Sequence, residues 1–190
     1  MKKIGVLGLQ GAIREHLDKL NKIEGVEGII VKYPEEIASI DGLIIPGGES
    51  TAMGRLLADF ELTSPLKARI LTGMPVWGTC AGMILLAKTI CNDERRHLEV
   101  MDIEVMRNGY GRQLDSFTTA VHVPDVAPSE IPLVFIRAPY VVGVSPEVDV
   151  LLQLDGNIVA CRQDNMLATS FHPELTDDLN FHRYFASMIN

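Results

Sequence analysis

Short apolar runs alternate with helical patterning through the first half of the chain, and this alternation restricts the folds open to it. Residues 4–9 read as a buried strand, after which Ile13, Leu17 and Leu20 fall on one face of a helix. Residues 28–31 and 42–45 are further apolar strands, the latter stopped by Pro46-Gly47-Gly48. A helix starts near Ser50-Thr51 and turns Met53, Leu56 and Leu57 inward, with either residue as its cap. Another helix covers 65–71, Pro75-Val76-Trp77 leads as a short strand into Gly78, and 83–90 read as helical. Strands with no polar face, each followed by a helix, require an α/β fold whose parallel sheet is covered on both sides.

The second half is β-rich and punctuated by Gly and Pro. Strands are expected at 100–105, 117–121, 133–136, 148–154 and 158–162, with Asp155-Gly156 as a hairpin turn between the last two. A strand at 167–171 and a helix over 177–189 close the chain. No repeat or linker interrupts the pattern, so residues 1–190 read as a single domain.

A formal net charge of −8, without any basic block, excludes a phosphate-binding face and hence nucleic acid as a partner. The N-terminal apolar run stops at Gln10, too early for a signal peptide, and no segment approaches a membrane span. These features point to a cytoplasmic protein. Cys80, Cys91 and Cys161 form an odd set in a chain too large to depend on disulfides.

Gly78-Thr79-Cys80-Ala81-Gly82 follows a strand and opens a helix, the G-x-nucleophile-x-G elbow with Cys in place of Ser. Side chains at the flanking positions would collide with backbone across so sharp a turn. At a helix start Cys80 feels the positive end of the dipole, which favours thiolate. The amide of Ala81 faces the place where an oxyanion would form. Cys91 and Cys161, at a helix end and in a strand, lack such surroundings and read as inert.

A nucleophilic cysteine needs a base and the base an orienting group. Of five histidines, His172 directly follows the last strand, in Ser170-Phe171-His172-Pro173-Glu174, so the sheet brings it to the same edge as Cys80. Glu174 can turn back to hold the imidazole. Pro46-Gly47-Gly48-Glu49-Ser50 is a second strand-end loop whose glycines leave backbone amides open to a ligand. Gly5, Gly8 and Gly11 have the wrong spacing for a dinucleotide fingerprint, and no His or Cys pair has zinc-ligand spacing. Neither cofactor nor metal is required.

Together these segments resemble the class I (triad) glutamine amidotransferases, and within them the glutaminase subunits of pyridoxal 5'-phosphate synthase. The likeness is carried by residues 5–12 with Arg14-Glu15-His16, by 43–51, and by the Cys80 elbow. It extends through Arg107-Asn108 with Gly111-Arg112-Gln113, Phe135-Ile136-Arg137-Ala138-Pro139 and 170–176. The resemblance implies a flavodoxin-like doubly wound sheet and a Cys80–His172–Glu174 triad. It implies an oxyanion held by Gly47 and Ala81, and L-glutamine bound by Gly48, Glu49, Ser50, Arg107, Ile136 and Arg137. Either arginine could take the α-carboxylate of glutamine. It further implies docking on a (β/α)₈ synthase subunit that receives the ammonia, with Gln10 at that interface and activity that is sluggish until docking. Three departures stand out: Gly109-Tyr110 where a small residue and Phe are usual, Tyr140 where His is common, and Gly54 where a larger residue is frequent. Gly109 is expected to loosen the Arg107 loop. The readings that compete are a glutaminase for another synthase, such as that of imidazole glycerol phosphate, a stand-alone cysteine hydrolase, and a catalytically dead binding module.

Overall fold

The computed structural model describes residues 1–110 and 116–190. The first half comprises β1 (Lys2–Leu7), α1 (Ile13–Leu20), β2 (Val26–Val31), β3 (Gly42–Ile45), α2 (Ser50–Asp59), α3 (Thr63–Leu71), β4 (Val76–Thr79) and α4 (Ala81–Leu86). Then come β5 (Ala87–Ile90), β6 (Met101–Met106), β7 (Ser116–His122), β8 (Glu130–Ile136), β9 (Tyr140–Val144), β10 (Asp149–Leu154), β11 (Asn157–Gln163), β12 (Met166–Thr169) and α5 (Asn180–Ser187).

Five strands in the order β2-β1-β3-β4-β12 run parallel and form the doubly wound, flavodoxin-like part of the sheet. The central strands β3, β4 and β12 are buried at every residue, and so on both faces. Along β3, Leu43 and Ile45 enter one core with Val76, Ala168 and the inward residues of α2 and α3. Ile44 points the opposite way, into a second core with Val6, Trp77, Leu167 and the phenylalanines of α5. Beyond β12 the sheet turns antiparallel through β11, β9 and β6 and ends on β5, with β10 also paired to β11. The β7–β8 ribbon stands apart as a two-stranded sheet.

Asp155 and Gly156 both have positive φ and join β10 to β11 with Leu154 opposite Asn157, the hairpin that Asp-Gly specifies. The helix expected over 83–90 is corrected. It ends at Leu86, and Ala87–Ile90 is a strand paired in parallel with β6. The composition of this stretch suits a helix, but pairing at a sheet edge overrides that local preference. β9 (Tyr140–Val144) was not anticipated.

Within the sheet, Trp77 Nε1 donates to Thr169 Oγ1 at 3.0 Å, a cross-strand tie between β4 and β12 just below their carboxyl ends. Its ring meets Phe181 and Phe185 of α5 and lies edge-on to His16 and His182, with centroids 5.8 and 5.0 Å away.

Candidate active site

The carboxyl ends of β1, β3, β4 and β12 converge at one sheet edge, where a crevice opens at the point of topological reversal. Cys80 follows β4 with φ +50° and ψ −105°, a conformation that a non-glycine residue adopts only where its surroundings impose it. The surroundings are explicit. Cys80 N–H donates to the Thr169 carbonyl at 2.8 Å, which ties the turn to β12. A Cβ on Gly82 would strike the Ile45 carbonyl, and one on Gly78 would strike the backbone of Gly82. Gly78 and Gly82 therefore allow β3, β4 and α4 to close around Cys80.

His172 follows β12, and its N–H donates to Val134 of β8 at 2.8 Å. Its Nδ1 lies 2.7 Å from Glu174 Oε1, and the Glu174 side chain is wholly buried. Burial alone would lower the proton affinity of His172. The interactions with Cys80 and with Glu174 outweigh it and raise the pKa to about 10. Nδ1 is committed to Glu174, so Nε2 is the ring nitrogen left to serve Cys80 and a substrate.

Gly47 packs so close to Cys80 and His172 that a Cβ there would enter the His172 ring. Its carbonyl accepts from Ala12 N–H at 3.2 Å, and Glu49 N–H donates to Gln10 Oε1 at 2.9 Å, so the loop after β1 braces the loop after β3. The cap of α2 is neither Ser50 nor Thr51. Glu49 accepts from Thr51 N–H at 3.0 Å and from Ala52 N–H at 2.7 Å, because its longer side chain can fold back from one residue earlier. The hydrogen bond from Thr51 N–H leads the influences that lower its pKa.

These groups line a cleft of about 450 Å³ that contains every sequence-derived site residue except Glu174, which stands behind His172. Gln10, Gly47, Gly48, Glu49, Ser50, Cys80 and Ala81 form one wall. Arg107, Ile136 and Arg137 form the other, and Arg137 has φ +42° at the turn after β8. Arg107 Nη1 donates to Asp93 Oδ2 at 3.1 Å, and its Nη2 lies 3.5 Å from Glu49 Oε1. Arg95 in turn grips Asp93, whose pKa is lowered first by that hydrogen bond. The planar fork of Arg107 is thus held across the cleft mouth, suited to a carboxylate.

Sequence reasoning missed Asp93, Arg95 and Thr51 as the setting of Arg107, and His16 as a neighbour of Glu174. They lie far from those partners in sequence, so no spacing could signal them. Gly109 is not loose. The Tyr140 ring fills the space of a Cβ there, and its N–H donates to Ala138 at 3.1 Å. The His97 ring fills the corresponding space at Gly54. Gly111-Arg112-Gln113 lie outside the described residues. Cys161 is fully buried with its pKa pushed up to about 12, and Cys91 ends at the edge strand β5, not at a helix end. Among the described residues no cluster of three or more His, Cys, Asp or Glu could hold a metal, and no helix is long and apolar enough to cross a membrane.

Comparison with known proteins adds independent information. Residues 6–190 match the SNO glutamine amidotransferase family. The chain is 77% identical over 189 residues to the pyridoxal 5'-phosphate synthase subunit PdxT of Ruminiclostridium cellulolyticum, covering 100% of both. It is 54% identical to the subunit of the same name from Caldanaerobacter subterraneus, over 96% of this chain and 97% of that one. A solved glutamine amidotransferase superposes with a TM-score of 0.92 at 40% identity, covering 98% of each chain. A putative GMP synthase subunit from Thermoplasma acidophilum, at 16% identity and TM-score 0.66 over 100% of this chain and 94% of that one, shares the fold.

Proposed function

This chain belongs to the SNO glutamine amidotransferase family, and we propose that it hydrolyses L-glutamine to glutamate and ammonia as the glutaminase subunit of a pyridoxal 5'-phosphate synthase. The observation that carries the mechanism is the elbow cysteine at φ +50° facing a histidine whose Nδ1 is 2.7 Å from a buried carboxylate.

His172, whose proton affinity the interactions with Cys80 and Glu174 raise against burial, takes the thiol proton of Cys80 on Nε2 as the nucleophile forms. The sulfur attacks the side-chain amide carbon of glutamine, and the amides of Gly47 and Ala81 receive the oxyanion. His172 Nε2–H protonates the leaving nitrogen, and ammonia departs from a γ-glutamyl thioester. Once the sulfur is acylated, its negative charge no longer holds a proton on His172. The ring, now neutral, takes a proton from water, which attacks the thioester and releases glutamate. Glu174 keeps Nδ1 protonated and stabilises the imidazolium in both half-reactions. Gly48, Glu49, Ser50, Arg107, Ile136 and Arg137 bind glutamine, with Arg107 the better placed of the two arginines for its α-carboxylate.

The whole chain acts as one cytoplasmic glutaminase domain, its two cores sharing one sheet. Ammonia passes to a (β/α)₈ synthase subunit docked at the cleft side, where Gln10 already touches the Glu49 loop. Glutamate and ammonia release should be measured for wild type and Cys80→Ala, with and without the synthase barrel. Turnover that survives in Cys80→Ala would refute the thioester route. A full rate from the isolated chain would refute activation by docking.

A further inference from the structure

We propose that His16 is a positioning residue for the triad, its Nε2–H holding the second oxygen of Glu174 while the first holds His172. The inference rests on the glutaminase reading above and extends it to a residue that lies outside the cleft.

Glu174 presents one oxygen to each of two imidazoles. Oε1 is 2.7 Å from His172 Nδ1, and Oε2 is 3.4 Å from His16 Nε2, with the side chains of Glu174 and His16 both wholly buried. Oε2 makes no hydrogen bond of ordinary geometry. A buried carboxylate oxygen without a donor is costly, which favours a proton on the ring nitrogen that faces it. His16 Nε2 also lies 3.3 Å from Thr79 Oγ1, the residue just before the nucleophile.

The tautomer follows from the neighbours. His16 Nδ1 is 2.9 Å from His182 Nε2, and both rings are fully buried. Burial, the leading cause, lowers the pKa of each, so both are neutral and each carries one N–H. His182 Nδ1 is buried and has no partner. A proton there would be stranded and would leave His16 with a bare Nε2 lone pair facing a carboxylate. The favourable arrangement places the His182 proton on Nε2, donating to His16 Nδ1. The single proton of His16 is then on Nε2, directed at Glu174 and Thr79. The carboxylate is thereby fixed at both oxygens and cannot rotate as His172 gains and loses its proton.

The test compares three variants, each in complex with the synthase barrel, by steady-state glutamine hydrolysis. His16→Gln places an amide where Nε2 was, whereas His16→Asn places one where Nδ1 was and reaches only His182. His16→Leu removes both contacts. Leu and Asn are expected to lower kcat about ten- to a hundredfold with KM for glutamine within about twofold, the scale of one lost hydrogen bond to a charged group. Gln is expected to retain kcat within about threefold. Equal losses for Asn and Gln, or an undiminished kcat for Leu, would overturn the proposal. A second readout needs no turnover. Long-range ¹⁵N–¹H correlation on wild type should find the His16 proton on Nε2, and a proton on Nδ1 overturns the proposal. If wild type does not hydrolyse glutamine, the glutaminase reading fails, while the tautomer result still decides the contact.

Discussion

The two walls of the cleft come from different kinds of β-structure. One wall stands on the ends of β3, β4 and β12, parallel strands whose residues are all buried. The other stands on β6 and β8, strands of alternating burial that pair antiparallel with β9 and β7 respectively, and on the turns carrying Arg107 and Arg137. The first wall is locked by backbone contacts that tolerate no added Cβ. The second is held by side-chain ion pairs among Arg107, Asp93 and Arg95 at the half-exposed cleft mouth. Bond-making chemistry needs atoms fixed to a fraction of an ångström, and recognition of a flexible amino acid needs charge on adjustable arms. In the proposed mechanism each task falls to the half that suits it.

The largest expected effect breaks the first wall. His172→Ala should reduce kcat on the order of 10⁴-fold with KM little changed, read by glutamate release from the assembled complex. Gly82→Ala should be next. Its Cβ meets the Ile45 carbonyl, so urea unfolding should show a loss of about 2 kcal/mol. On the second wall the pattern should invert. Arg107→Lys should raise KM for glutamine about tenfold and leave kcat within about threefold, since the fork is lost but the charge stays. A kcat loss as deep as that of His172→Ala would show the division of labour to be wrong. Asp93→Asn should raise KM only about threefold, a direction set by its role in aiming Arg107. A fall in KM would mean that Asp93 competes with the substrate carboxylate.

A further effect concerns pH and separates the core from the cleft. The folded pKa of His182 is depressed from 6.5 to about 3, so its contribution is fully present above pH 6.5 and is lost as pH falls toward 3. His172 has the opposite sign. Its folded pKa of about 10 exceeds the unfolded value, so its contribution is full below pH 6.5 and is lost as pH rises through about 10. Melting temperature should therefore decline on both sides, and His182→Phe should flatten only the acid limb.

The sequence was most legible where the structure is most buried. Continuous apolar runs located β1, β3 and β4, and the elbow pattern located Cys80, because both faces of a parallel strand and both flanks of a tight turn leave little choice of residue. Legibility faded in the second half. Ala87–Ile90 was mistaken for helix because its identity as a strand depends on β6, which lies eleven residues beyond Ile90 at its nearest. The contacts of Asp93 and of His16, itself part of the family resemblance, could not be read because their partners are distant in sequence: Arg107 lies 14 residues from Asp93, and His182 lies 166 from His16. Glu49 as cap was missed for a different reason. Short side chains dominate that position, and a glutamate folding back on its own helix is recognised only from coordinates.

Trp77 gives the buried network an optical consequence. It is the only tryptophan in the sequence, and its indole is bonded to the strand that leads to His172 and lies edge-on to both His16 and His182. Protonated imidazole quenches indole emission, so the intrinsic fluorescence of this protein reports the charge state of the histidine pair behind Glu174 without any label. Docking, substrate binding or acidification that disturbs the pair would be visible as a change in the brightness of a single residue.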